Sequence, residues 1–166
     1  MIENYVQLEK NDILRLGIKT AEGEDTGEVL EFDLEDIELP LKYQELVEKD
    51  KRNRENLKNQ IFIIDKRQDI KGKKLLTKNE EDKIRALNDF FKKEIEVYNI
   101  FLGENGVQKL LNGRKFGWNT LQEIDEIIDK QISPYINKNM DNITKKVKEK
   151  YGQSLKRSKE QIEVIE

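Results

Sequence analysis

The sequence predicts an α+β protein in which an N-terminal antiparallel β-hairpin or meander is followed by a mostly α-helical body. Three observations carry this prediction. Apolar and polar residues alternate through much of the first 35 positions, apolar residues recur at three- and four-residue spacing after Asp33, and capping residues, glycines and two prolines bound the helical stretches. A chain of 166 residues has room for one ordinary domain. It is expected to be strand-rich over residues 4–33 and helical over 40–152, with a charged, flexible tail at 153–166.

Taken in order, Tyr5, Val6 and Leu8 read as a first strand before an Asn11-Asp12 turn signal. Leu14, Leu16 and Ile18 then share one face of a second strand. The Gly-, Asp- and Glu-rich stretch from Ala21 to Gly27 suits a hairpin loop, and Val29, Leu30 and Phe32 make the return strand. Such a small sheet is marginal alone and needs a helical layer on its apolar face. Pro40 fits the first turn of a helix whose apolar face is read as Leu41, Tyr43, Leu46 and Val47. A polar stretch, Glu48 to Asn56, separates that face from Leu57, Ile61 and Ile64. Residues 40–67 as one helix would span about 42 Å, so the polar middle is expected to be solvated.

Thr77-x-x-Glu80 has the capping-box pattern ahead of Ile84, Leu87, Phe91, Ile95, Tyr98 and Leu102, and Gly103 stops that helix. A short helix carrying Val107, Leu110 and Leu111 follows and ends at Gly113. Thr120-x-x-Glu123 is a second capping box, opening a helix with Leu121, Ile124, Ile128 and Ile132. Pro134 should break or kink it, with Tyr135, Ile136, Ile143 and Val147 continuing beyond.

Composition excludes whole classes of chemistry. Without histidine or cysteine, the chain cannot form a Ser-His-Asp or Cys-His site, a zinc finger, a thiolate nucleophile or a disulfide. Charged residues make up 39% of it, and no consecutive apolar run exceeds the four residues Ile61 to Ile64, too short to span a membrane. The acidic start at Glu3 and Glu9 argues against a secretory signal. No phosphate-cradling Gly-x-x-x-x-Gly-Lys-Ser/Thr is present, and no cofactor is expected.

Charge is unevenly spread. Residues 1–40 hold 12 acidic and 3 basic side chains, whereas 48–78 and 137–158 are net basic. The carboxylates Asp33, Glu35, Asp36 and Glu38 lack the spacing of a calcium loop and read as acidic surface rather than a metal site. The basic stretches sit in a chain of net charge −3 with 24 lysines to 7 arginines, which favours hydrated helix surface over a nucleic-acid interface. The asymmetry permits a homo-oligomer, acidic sheet of one copy against basic helix of another. Phe116 and Trp118 lie in a loop, Gly113 to Trp118, either folding over Ile124 or serving as a binding epitope.

The order of these segments carries a resemblance. The acidic hairpin, its exit Phe32-Asp33-Leu34-Glu35-Asp36, the turn Phe101-Leu102-Gly103-Glu104-Asn105-Gly106 and the short helix ending Leu110-Leu111-Asn112-Gly113-Arg114 before a last apolar helix resemble the tail assembly chaperones of long-tailed bacteriophages and prophages of Gram-positive bacteria. The likeness spans roughly residues 10–150; the polar stretch near Glu48 to Lys58 and the Phe116-Gly117-Trp118 loop depart from it. The resemblance implies a non-enzymatic protein in the cytoplasm of the bacterial host. Such a protein binds the tape measure protein, keeps it soluble and helps recruit the tail tube protein, with no nucleic-acid or membrane partner. The alternative is a structural tail completion or adaptor subunit retained in the virion. Phe101, Leu102, Phe116, Trp118, Ile128 and Ile132 are the residues this reading assigns to partner contact.

Overall fold

In the computed structural model, residues 4–9 and 12–165 are described, with side chains described to residue 152. Strands β1 (Ile13–Lys19) and β2 (Asp25–Asp33) form a two-stranded antiparallel sheet. Its register sets Leu14 opposite Phe32 and Leu16 opposite Leu30, so the buried side chains share one face, and the pairing is irregular between Gly17 and Lys19. The turn closes with the Thr20 N–H donating to the Glu24 carbonyl at 2.7 Å, and Gly23 supplies the positive φ of 88° that the turn requires.

Helices α1 (Leu39–Lys66), α2 (Lys78–Leu102), α3 (Gly106–Leu111), α4 (Trp118–Ile127) and α5 (Ser133–Ile165) follow, so the α+β arrangement matches the expectation. The sheet contributes Ile18, Leu30 and Phe32 to the core, where Phe32 meets Phe101 at 5.3 Å between ring centroids. Tyr43 comes edge-on to the same Phe101 ring at 5.4 Å, which ties α1 and the sheet to α2.

Several local expectations are corrected. Residues 4–9 form no strand, and Asn11 of the expected turn lies outside the described residues. Tyr5 and Val6 are consecutive, so in an extended chain they would point to opposite faces and could not both reach the sheet's apolar side. On α1 the buried face is Leu39, Leu46, Leu57 and Ile64, with Tyr43 half-buried, while Leu41 and Val47 are exposed. Leu41, two residues from Leu39, lies about 200° around the helix. On α2 the buried stripe runs through Phe90, Glu94, Val97, Tyr98 and Phe101, which leaves Ile84 exposed and Leu87, Phe91 and Ile95 at the flanks.

Helix ends follow sequence chemistry more closely. Thr77 Oγ1 accepts the Glu80 N–H as an N-cap, and Gly103 (φ 94°) ends α2. Asn79 faces back to α1, donating from Nδ2 to the Arg67 carbonyl at 3.2 Å and to the Ile64 carbonyl at 3.0 Å, which also accepts the Arg67 N–H, so the side chain secures the carbonyls at the end of that helix. Thr120 is not an N-cap: α4 begins at Trp118, and Thr120 Oγ1 accepts the N–H of the capping residue Gly117 at 2.8 Å from inside the first turn.

Pro134 does not break the chain's last helical stretch. A wide π-turn over Ile128–Ile132 joins α4 to α5, with the Ser133 N–H bonded to the Ile128 carbonyl five residues back. Widening the turn just before the proline removes the clash its ring would make with the preceding turn. It also explains Ile124, Ile128, Ile132 and Ile136, all buried. A strict four-residue repeat drifts about 40° per step on an α-helix, and the wide turn cancels part of that drift. The tail expected beyond residue 152 continues as the α5 backbone, with its side chains outside those described.

Candidate functional site

Two features stand out from the packed core: a polar seam between α1, α2 and α4, and an open apolar groove beside α5. The seam lies where α1 was expected to be solvated. Asp50, Asn53 and Arg54 fall on the same side of α1 as Leu46 and Leu57, so they face α2 rather than water. Asn53 Nδ2 donates to Glu94 Oε1 at 2.9 Å. Arg54 binds Asp50 at 2.8 Å and reaches Asp125 of α4 at 3.5 Å, and the Tyr98 hydroxyl donates to the other Asp125 oxygen.

Glu94 is fully buried, and its Oε2 has no hydrogen-bond partner among the placed atoms. Desolvation, helped by a hydrogen bond to the Asp50 carboxyl, pushes its pKa up to about 8. At neutral pH it therefore keeps its proton, and a carboxyl proton directed at Asp50 satisfies the oxygen that otherwise lacks a partner. Burial also raises Asp125, against the lowering effects of Tyr98 and Arg54, and burial with the Asp125 contact raises Tyr98. Desolvation, the largest single effect, acts to lower the Arg54 pKa, but the hydrogen bonds and charges of Asp50 and Tyr98 together raise it.

The shallow cleft over this seam, about 200 Å³, has Tyr43, Val47, Asp50, Tyr98, Asp125 and Asp129 on its walls, and Glu94 is not among its lining residues. The polar atoms of the seam bond to one another, so the arrangement fixes how α1 lies on α2 and α4. Among the described residues no group of three or more acidic side chains is placed to hold a metal ion.

The groove is different in kind. Leu34 and Ile37, in the connection between β2 and α1, form one wall, and Asn139, Ile143, Val147 and Tyr151 of α5 form much of the other, around about 530 Å³. Ile37, Val147 and Tyr151 are exposed. Asn139 holds the walls together by donating from Nδ2 to the Leu34 carbonyl, and Lys146 meets Glu35 at 3.4 Å along the rim. The sequence signal for this site was the spacing Ile136, Ile143, Val147 and Tyr151, an apolar face that persists after the core ends.

The six residues assigned to partner contact are split by the structure. Phe101, Leu102, Ile128 and Ile132 are 1–4% exposed and filled in by the chain's own side chains, so they offer no partner surface. Phe116 and Trp118 fold neither over Ile124 alone nor into a free loop. Phe116 packs edge-on to Phe91 at 5.5 Å, and Trp118 stacks against Phe90 and Phe91 at 5.3 and 5.0 Å. Trp118 is half exposed on this platform and has the most open surface of the six, with Phe116 partly buried beside it.

Among the described residues no helix is long and apolar enough to cross a membrane. Comparison of the chain with protein-family models, with curated proteins and with solved structures gives no match in any of the three.

Proposed function

We propose that this chain is a non-enzymatic tail assembly chaperone that covers apolar helical segments of a tape measure protein in the bacterial cytoplasm and helps bring tail tube subunits to it. The observation that supports this reading best is the groove walled by Leu34, Ile37, Ile143 and Val147. It is an apolar channel left open in a molecule whose other helical stripes are largely consumed by the core. From Asn139 to Tyr151 it runs about 18 Å, three turns of an α-helix, the length over which an amphipathic ligand presents residues i, i+4, i+7 and i+11. The half-exposed Trp118 platform offers a second, smaller contact. Several modest contacts repeated by many copies along one long ligand gain strength through effective concentration. The heavily charged exterior keeps such a coated ligand in solution.

Co-expression tests the assignment. Wild-type chain should keep the tape measure protein in the soluble fraction, and Val147→Asp, which places a charge on the exposed groove wall, should lose most of that effect. Equal solubility of the tape measure protein with and without this chain would remove the chaperone reading. Mass spectrometry of purified particles separates it from the adaptor alternative, since a chaperone is absent from the finished tail and an adaptor is present in fixed copy number.

A further inference from the structure

We infer that the groove beside α5 is also a self-recognition site, filled by the N-terminal segment of a second copy of this chain in a two-fold segment-exchanged dimer. The single chain leaves both halves of this contact unmet. Tyr5, Val6 and Leu8 are 84%, 97% and 88% exposed, and the groove built on Ile37, Val147 and Tyr151 stands open. An apolar triplet this exposed at one end of a chain, and an apolar channel at the other, are complementary liabilities in water.

Geometry brings the two together. The Leu34 N–H donates to the Asp12 carbonyl at 2.9 Å, which anchors Asp12, three residues after Glu9, beside a residue that lines the groove. Six residues, 4–9, reach about 20 Å when extended, enough to run the roughly 18 Å length of the channel. Charge is compatible: the described segment carries Glu9, and the α5 side of the groove carries Lys150 beside the Lys146–Glu35 pair. The chain's own segment does not occupy its own groove. Because Asp12, which follows the donor segment, is bonded to Leu34 of the acceptor groove, two copies related by a two-fold axis would satisfy both halves at once, the closed arrangement that isologous contacts favour.

Such a dimer would store the apolar groove in covered form until a ligand helix displaces the segment. That competition rests on the function proposed above, whereas the exchange itself does not.

The chain's lack of cysteine gives a clean test on the full-length protein. The double variant Val6→Cys, Val147→Cys, oxidised with diamide at low protein concentration, should yield a disulfide joining two chains on a non-reducing gel. Light scattering should give the wild type a dimer mass, and Leu8→Asp should weaken the dimer by at least about tenfold with unchanged circular dichroism. A wild type that is monomeric across the concentration range overturns the inference. So does a link closed only within one chain, which would make the segment a cover for its own groove, or a dimer indifferent to Leu8→Asp. Failure here with intact solubilisation of the tape measure protein would leave the chaperone reading standing. The reverse result would leave the dimer standing without it.

Discussion

Glu94→Gln is the most informative substitution in this molecule. The carboxyl is fully buried between α1 and α2, and its pKa is pushed up to about 8 by burial first and by Asp50 second. In the unfolded chain it titrates near its ordinary value, about 4.3. Between those limits the folded state holds a proton that the unfolded state has released, so stability is full at acid pH and falls as pH rises through the folded value. Over the window from pH 5.5 to 8 that is about 3 kcal/mol, at about 1.36 kcal/mol per pH unit. For a chain of this size it lowers the melting temperature by about 6–12 °C. Asp125, also raised by burial, acts in the same direction, while the lowered Asp69, Glu81 and Asp82 titrate below this window.

A glutamine at position 94 keeps the acceptor for Asn53 and offers Asp50 a permanent donor without a titrating proton. Thermal melts of wild type and Glu94→Gln from pH 5.5 to 8.5 should therefore show a steep decline for the first and a clearly shallower one, the part left by Asp125, for the second, with the variant the more stable at pH 8.5. A flat wild-type profile, or an equal slope in both proteins, would refute the account of a proton held in the seam.

Other substitutions probe separate links. Gly106→Ala should cost about 1–3 kcal/mol in chemical denaturation, because an added Cβ would sit 2.5 Å from the Leu102 Cβ where α3 turns back on α2. Asn79→Ala removes both side-chain bonds to the end of α1 and should cost about 1–2 kcal/mol, with hydrogen exchange accelerated most over residues 64–67. Tyr98→Phe deprives Asp125 of a buried donor while Arg54 remains, and a urea titration should show a loss of about 1–2 kcal/mol.

Much of the architecture was legible because local chemistry and tertiary packing agree. The alternation of Leu14, Leu16 and Ile18, the Thr77 cap and the Gly103 stop each act within a few residues, and each does in the structure what its chemistry requires. Errors arose where a partner across the fold decides. Asp50 and Asn53 look like solvent-facing residues until Glu94, itself a charged residue in an apolar stripe, is found opposite them. Periodicity can place a face on a helix to within about one residue, or 100°, which is the difference between Leu46, buried, and Val47, exposed, or between Phe90 and Phe91. The candidate site was harder still. Apolar stripes such as Phe101 and Leu102 or Ile128 and Ile132 do not reveal from sequence whether the chain covers them itself, and here it does. Val147 reads from sequence as one more residue of the stripe beyond Pro134, and no motif marks Tyr151, yet both line an open groove.

The wide turn ahead of Pro134 has a consequence for how this molecule can change. One surplus residue there sets the rotational phase of everything downstream, so deleting it would turn α5 by about 100°. Asn139 would lose Leu34, and the greasy wall formed by Ile143 and Val147 would swing away from Ile37 without a single side chain being altered. The count of residues between Ile124 and Ile136 is thus as much a determinant of the groove as the identity of its walls, because it keeps the core face and the groove face in step.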